Sequence, residues 1–255
     1  SGKMSDGASD KTLGHTSVID INAEKEYEEM QLVHTAEHTR AYIKIQDGCN
    51  QFCSYCVIPF ARGRVRSRKP EQVEEEVRRL AEAGYHEIVL TGIHLSSYGL
   101  DFHGESYNAT GGQGNEQELL QLIERIHAVD GITRIRLGSL EPRVITEAFA
   151  GALAALPKVC PHFHLSLQSG CDGVLKRMNR RYTTEEFARS VEILRRVYEH
   201  PAITTDVITG FPGETEEEFA QTVSYLEKIR FFEMHVFPYS RREGTVAADM
   251  PGQLT

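Results

Sequence analysis

The chain has 255 residues, is 40% hydrophobic and 25% charged, and carries a formal net charge of −9. This is enough apolar material for one domain with a sizeable core, and the absence of a long apolar run excludes a membrane-spanning segment. The acidic balance is against a generally basic nucleic-acid-binding surface, and only five cysteines suit a reducing compartment. We therefore expect a cytoplasmic protein, monomeric and without a membrane partner.

Predicted strands and helices alternate along most of the chain. Residues 1–38 are polar and lack sustained periodicity, so we predict an irregular tail or linker there and one core domain over 39–255. The predicted strands cover residues 42–46, 87–91, 133–137, 162–167, 203–208 and 233–237. The predicted helices cover residues 70–83, 116–129, 142–156, 172–178, 184–198 and 215–229.

This alternation is typical of a parallel α/β sheet. Six strand and helix repeats fall short of the eight that close a full barrel, so the predicted fold is an open, partial (β/α)6 barrel. In the last helix, Phe219, Val223 and Leu226 are predicted to face inward. The Gly-rich insertion over 96–115 is long enough to be functional or disordered.

Three cysteines follow the first predicted strand within one short loop. Cys49, Cys53 and Cys56 form a C-x3-C-x2-C pattern. Structural zinc normally takes four protein ligands, whereas an iron-sulfur cubane held by three thiolates keeps one iron open for a small molecule. The pattern favours the cluster, while zinc completed by one of the eleven histidines and inert or redox thiols stay as alternatives.

Other polar residues gather after the remaining strands. In parallel α/β folds the active site lies at the carboxyl ends of the strands. Segments 91–94, 139–142, 168–170 and 209–214 follow the second to fifth strands and should therefore meet the cysteine loop.

A basic run covers residues 62–69, directly after the cysteine loop, with five cations in eight residues. It is either a solvated loop balanced by the next, acidic helix or a surface that contacts phosphates. The candidates for RNA binding are Arg62, Arg64, Arg66 and Arg68.

Several short segments resemble the methylthiotransferases of the radical S-adenosylmethionine (radical SAM) superfamily. They are residues 45–50, 55–59, 61–64 and 167–170, together with the cysteine triplet and an aromatic residue before its last cysteine. Residues 91–99 look most like the branch that acts on threonylcarbamoyladenosine in tRNA, next to the anticodon. The resemblance covers residues 39–245 and implies a partial barrel of the radical SAM type.

The resemblance implies a chemistry. By similarity, Cys49, Cys53 and Cys56 hold a 4Fe-4S cluster whose open iron binds S-adenosylmethionine. An electron, from a donor such as flavodoxin or ferredoxin, would split the sulfonium and give a 5′-deoxyadenosyl radical that activates the adenosine. The implied protein is a transferase with tRNA as its partner.

The resemblance also implies contacts to S-adenosylmethionine. Each candidate could instead cap a helix, form a turn or pack in the core. The implied cofactor-binding residues are Phe52, Tyr55, Thr91, Gly92, Glu141, Gln168, Ser169, Arg181, Gly210 and Glu214.

The chain departs from the family pattern in its cysteines. The family carries three more cysteines for a second cluster, on an N-terminal domain, and a C-terminal β-barrel that helps bind tRNA. Cys160 and Cys171 cannot supply such a cluster, so we expect the radical core alone, with sulfur insertion by this polypeptide in doubt. The alternatives are a ribosomal-protein methylthiotransferase, another radical SAM enzyme, and a non-catalytic metal-bearing module that binds RNA.

Overall fold

Six parallel strands follow one another in chain order across a curled sheet. The computed structural model describes residues 20–28, 40–103 and 116–254, so most of the predicted tail and residues 104–115 of the predicted insertion lie outside it. The sheet has a four-stranded part and a three-stranded part, which are joined by the isolated bridges Ile135 to Val159 and Leu140 to Leu165. The strands are β1 (Arg40–Asp47), β2 (Arg66–Ser67), β3 (Glu87–Gly92), β4 (Arg134–Leu137), β5 (His162–His164), β6 (Ala202–Thr209) and β7 (Glu233–Pro238).

Helices connect the parallel strands, which confirms the α/β partial barrel. Two of them begin at capping boxes, in which Thr183 pairs with Glu186 and Thr215 with Glu218. The helices are α1 (Ile58–Ala61), α2 (Pro70–Glu82), α3 (Glu116–His127), α4 (Glu147–Ala154), α5 (Asp172–Arg177), α6 (Thr184–Val197) and α7 (Glu216–Ile229).

The core lies between the outer face of the sheet and the helices. Apolar residues of alternate strand positions point outward and are almost fully buried against the helical stripes. They include Ile43, Ile88, Leu90, Ile135, Phe163 and Ile203. Within the described residues, every helix is too short or too polar to span a membrane.

Some predicted elements differ from the structure. The helix predicted over 142–156 is a 3-10 turn, Pro142–Val144, followed by α4, because the Thr146 side chain accepts from the Phe149 backbone N–H and starts the helix later. The strand predicted over 162–167 keeps a regular ladder only over His162–His164. β2, which pairs antiparallel with the end of β1, was not predicted.

The inward face predicted for α7 is wrong for Phe219 and Val223, whereas the third predicted residue, Leu226, is partly buried against the core. Phe219 and Val223 are 41% and 39% exposed, while Thr222 and Ile229 are the buried residues of this helix. The buried face of α7 is the one that carries Thr222, whose hydroxyl lies 3.2 Å from that of Ser169, while β7, the edge strand of the sheet, is exposed at every residue. Helical spacing alone cannot locate that edge.

Candidate active site

The cysteine loop is held between β1 and β2. β1 ends at Asp47, and the Cys49 backbone N–H donates to the Gly63 carbonyl at 3.0 Å. Gly48 has φ +69°, and a Cβ built on it would lie 1.8 Å from the Arg64 carbonyl oxygen. A glycine is therefore required where the chain enters the loop.

All three cysteines line one cavity of about 140 Å³. The Gln51 backbone N–H donates to the Cys49 sulfur at 3.5 Å, and Arg180 Nη1 donates to the Cys53 sulfur at 3.2 Å. Iron-sulfur clusters are held by thiolates that receive such hydrogen bonds, so this set of donors fits a cluster. The other lining residues are Gln51, Tyr55, Ile58, Ile93, His94, Ser139, Leu140, Glu141, Ser166, Gln168 and Arg180.

A buried amide connects two sides of this cavity. Gln46 is fully buried, and its Nε2 donates to the carbonyl oxygens of Asp47 and Gly48, both at 2.7 Å. Its Oε1 accepts from the His94 backbone N–H at 2.8 Å. One side chain therefore fixes both the cysteine loop and the loop after β3.

Glu141 is a buried carboxylate at the cavity wall. Its Oε1 accepts from Arg143 Nε at 2.9 Å, and its Oε2 lies 3.4 Å from His94 Nε2. Burial would raise the pKa of Glu141, but the hydrogen bonds and charges of His94 and Arg143 outweigh it and lower the pKa to about 2. His94 Nδ1 is 2.5 Å from Ser97 Oγ, so both ring nitrogens face protein oxygens.

Glu141→Gln is expected to lower the free energy of unfolding at pH 7 by on the order of 2 kcal/mol. The neutral amide loses the charge that His94 and Arg143 stabilise. Because the pKa of Glu141 falls from its ordinary 4.5 to about 2, this contribution is fully present above pH 4.5 and is lost as the pH drops toward 2. The measurement is denaturant unfolding of both proteins between pH 7 and pH 3.

The matched control is Glu147→Gln. Glu147 pairs with Arg196 at the surface, where its side chain is 62% exposed. This variant should change the free energy of unfolding by less than about 0.5 kcal/mol. A difference between Glu141→Gln and wild type that does not shrink with falling pH would contradict the role of the charge.

The structure brings Arg180, rather than the predicted Arg181, to the cavity. Arg181 is exposed and does not line it. Arg180 Nε donates to the Tyr182 hydroxyl at 2.8 Å, and its guanidinium lies 4.8 Å from the centre of the Tyr182 ring. The adjacent arginine was therefore the one that the sequence analysis missed.

Of the implied cofactor-binding residues, Tyr55 and Gln168 line the cavity as Glu141 does. Gln168, four residues after the end of β5, has φ +73°, a backbone conformation that residues other than glycine rarely adopt. The implied residues that do not line the cavity are Phe52, Thr91, Gly92, Ser169, Arg181, Gly210 and Glu214.

Several of these residues have structural partners instead. Ser169 is fully buried, its hydroxyl lies 3.2 Å from that of Thr222, and it accepts from the Cys171 backbone N–H. Glu214 accepts from the Gly210 backbone N–H at 2.6 Å, which closes the turn after β6. These contacts correspond to the cap and turn alternatives weighed for such residues.

The remaining three residues also have local roles. A Cβ on Gly92 would lie 3.0 Å from Gln46 Oε1, and the Thr91 hydroxyl donates to the Ile43 carbonyl. Phe52 does not line the cavity, and the Arg64 guanidinium lies over its ring, 4.7 Å from the ring centre.

The basic run divides into two exposed and two buried arginines. Arg66 and Arg68 have side chains only 7% and 3% exposed, and they pair with Asp47 and Glu76 respectively. This burial and these ion pairs oppose the RNA-binding role predicted for Arg66 and Arg68. Arg62 and Arg64 are exposed beside the cysteine loop.

A second cavity, of about 660 Å³, adjoins the first. Both cavities are bordered by Gln51, His94 and Glu141. The larger cavity continues between the loops after β3 and β4 and the first half of α6, where Arg189 and Ser190 line it. It lies at the carboxyl ends of the strands, where α/β folds bind ligands.

Curated relatives match nearly the whole chain. It is 45% identical over 237 residues to the threonylcarbamoyladenosine tRNA methylthiotransferase MtaB of Bacillus subtilis (strain 168), covering 93% of this chain and 50% of that protein. It is 42% identical over 222 residues to a tRNA-2-methylthio-N(6)-dimethylallyladenosine synthase of Pelotomaculum thermopropionicum, covering 87% and 47%. The chain thus spans about half the length of the curated relatives it matches.

Solved structures with the same fold are radical SAM enzymes. The methyltransferase TsrM of Kitasatospora setae aligns with a TM-score of 0.63 at 23% identity, over 81% of this chain and 38% of that one. The coproporphyrinogen III oxidase HemN of Escherichia coli aligns at 0.55 and 18%, over 84% and 48%. These identities show the fold alone.

A family model described as the Radical SAM superfamily matches residues 43–226. The chain therefore belongs to the radical SAM superfamily, whose members use a 4Fe-4S cluster and S-adenosylmethionine.

Proposed function

We propose that this chain is the radical core of a transferase that methylthiolates N6-threonylcarbamoyladenosine next to the anticodon of tRNA. The observation that carries the proposal is the 45% identity, over 93% of the chain, to an enzyme named for that substrate. The 42% identity to a dimethylallyladenosine synthase supports that nucleoside as the second candidate substrate.

The residues around the cavity have distinct proposed roles. Cys49, Cys53 and Cys56 would hold a 4Fe-4S cluster, which when bound would supply the binding point for S-adenosylmethionine and the electron for cleaving its sulfonium. Glu141 and Gln168, which line the cavity, orient the polar groups of that cofactor. Tyr55, whose ring centre is 6.4 Å from that of Phe211, closes one wall and excludes water.

The neighbouring cavity of about 660 Å³ is the proposed position of the modified nucleoside. Its volume falls within the range of ordinary ligand pockets, and Gln51, His94 and Glu141 connect it to the cysteines. Arg62 and Arg64, exposed beside the cysteine loop, are the proposed contacts to tRNA phosphates.

Sulfur and electrons have to come from other sources. Cys160 and Cys171 are buried and do not line the cavity, so we propose that a second cluster, if used, is held by residues outside this chain. A low-potential donor of the flavodoxin or ferredoxin type is the proposed source of the electron.

Deletion of the gene for this chain tests the substrate. We expect the methylthio group to disappear from threonylcarbamoyladenosine in bulk tRNA, measured by mass spectrometry of nucleosides. The methylthio derivative of dimethylallyladenosine and the ribosomal proteins should be unchanged. Restoring the wild-type gene should return the modification, whereas restoring it with Cys53→Ala should not.

The other outcomes identify the alternatives. Loss of the dimethylallyladenosine derivative alone would overturn the proposal in favour of the second candidate. An unchanged tRNA profile with an altered ribosomal protein would point to the ribosomal-protein branch. Zinc without iron in the anaerobically reconstituted chain would favour a non-catalytic module.

A further inference from the structure

Arg180 is a half-buried cation at the wall of the cysteine cavity. The two acceptors of its side chain among the described residues are the Tyr182 hydroxyl and the Cys53 sulfur, at 2.8 and 3.2 Å. Within the same residues it forms no ion pair with a carboxylate, because Glu141, which also lines the cavity, is held by His94 and Arg143.

A charge that is partly withdrawn from water is stabilised by a neighbouring charge of opposite sign. Tyr182 does not supply one. Its hydroxyl donates to the carbonyl oxygens of Ser166 and Leu167, at 2.5 and 2.9 Å, and burial raises its pKa, so the phenol stays neutral. The carboxylate of Glu141 favours the charged guanidinium electrostatically without an ion pair to it, and the Cys53 sulfur, the acceptor of Nη1, would add a negative charge when it binds iron.

Tyr182 instead fixes the direction of the guanidinium. The guanidinium of Arg180 makes two contacts with Tyr182. Its Nε donates to the Tyr182 hydroxyl, and its central carbon lies over the face of the Tyr182 ring. The outer nitrogen Nη1 is thereby directed at the Cys53 sulfur. A flexible lysine at this position could not make both contacts in this geometry.

We propose that Arg180 raises the reduction potential of the 4Fe-4S cluster by donating a hydrogen bond to the Cys53 sulfur and placing a positive charge beside it. Reduction adds one electron, taken from a low-potential reductant, and makes the cluster more negative by one charge. A cation and a hydrogen bond at a ligand sulfur stabilise that form more than the oxidised form. The inference rests on the proposed function, since it requires a cluster at these cysteines.

The test is a reductive titration of the anaerobically reconstituted 255-residue chain with dithionite and redox mediators, followed by electron paramagnetic resonance. S-adenosylmethionine and tRNA are left out, so a role of Arg180 in binding either does not enter. For Arg180→Met we expect about a tenfold shift of the one-electron equilibrium toward the oxidised form, which is about 59 mV.

Two further variants make the test specific. Arg181→Met removes the same charge from the exposed neighbouring residue and should leave the potential unchanged. Arg180→Gln keeps a donor without the charge and should give a smaller shift in the same direction. If Arg180→Met does not hold iron, the reduction potential of Arg180→Gln is compared with that of wild type instead.

A potential in the Arg180 variants equal to that of wild type would overturn the inference, as would an equal shift in Arg181→Met. Failure of the proposed function is separate from this result. A shifted potential together with unchanged tRNA nucleosides in the deletion strain would leave the inference standing and remove the proposed substrate.

Discussion

Cys53→Ala is expected to abolish iron binding and the cleavage of S-adenosylmethionine together. The substitution leaves two thiolates at the cavity, and it also removes the acceptor of the Arg180 hydrogen bond. The loss of deoxyadenosine release should exceed the roughly 10-fold to 100-fold loss typical when a residue behind a metal ligand is changed. The measurements are iron per chain and deoxyadenosine formed by the reconstituted protein.

The control for this experiment is Cys160→Ala. Cys160 is also a buried free cysteine, and it lies next to β5 without lining the cavity. This variant should keep its iron and its activity, with only the modest loss of stability expected for a small buried side chain. Equal iron contents in Cys53→Ala and wild type would remove the site assignment.

Gly48→Ala is expected to lower the free energy of unfolding by about 3 kcal/mol or more and to prevent cluster loading. Its φ of +69° is unfavourable for alanine, and the added Cβ would lie 1.8 Å from the Arg64 carbonyl oxygen and 2.4 Å from its carbon. The loop cannot move aside easily, because the Gly48 carbonyl accepts from Gln46 and the adjacent Cys49 N–H is bonded to Gly63.

Gly84→Ala separates these two causes. Gly84 also has a positive φ, +91°, but a Cβ there would have nothing within 4 Å. The free energy of unfolding of Gly84→Ala should therefore fall only by the roughly 1 to 2 kcal/mol that the left-handed backbone conformation costs an alanine. Denaturant unfolding and iron content check both variants. Equal losses of stability would mean that contact with Arg64 does not matter.

The fold was predicted correctly because the alternation of strands and helices depends on short segments. The expectation that Glu141 and Gln168 lie near the cysteine triplet also depends on short segments, and all of these residues line one cavity. The choice between Arg180 and Arg181 as the residue at the cavity does not depend on a short segment alone. Asn179 has φ +57° and donates to the Phe52 carbonyl, so the turn after α5 directs the next residue into the cavity.

Side-chain contacts between elements account for the other differences between the predictions and the structure. Arg68 pairs with Glu76, eight residues further along the chain within α2, and Ser169 contacts Thr222 of α7. A run of charged residues predicts an exposed surface when the residues that pair with it are not known. Tertiary packing decides which side chains pair, and the spacing of residues within one segment carries no information about that packing.

The buried amide of Gln46 has a consequence for how the cofactors bind. It fixes the backbone on either side of the cavity through three hydrogen bonds. The conformational entropy of both loops is therefore lost when the chain folds, before any cofactor arrives. Binding then draws on a preorganised receptor, and more of its free energy is left to hold the ligand.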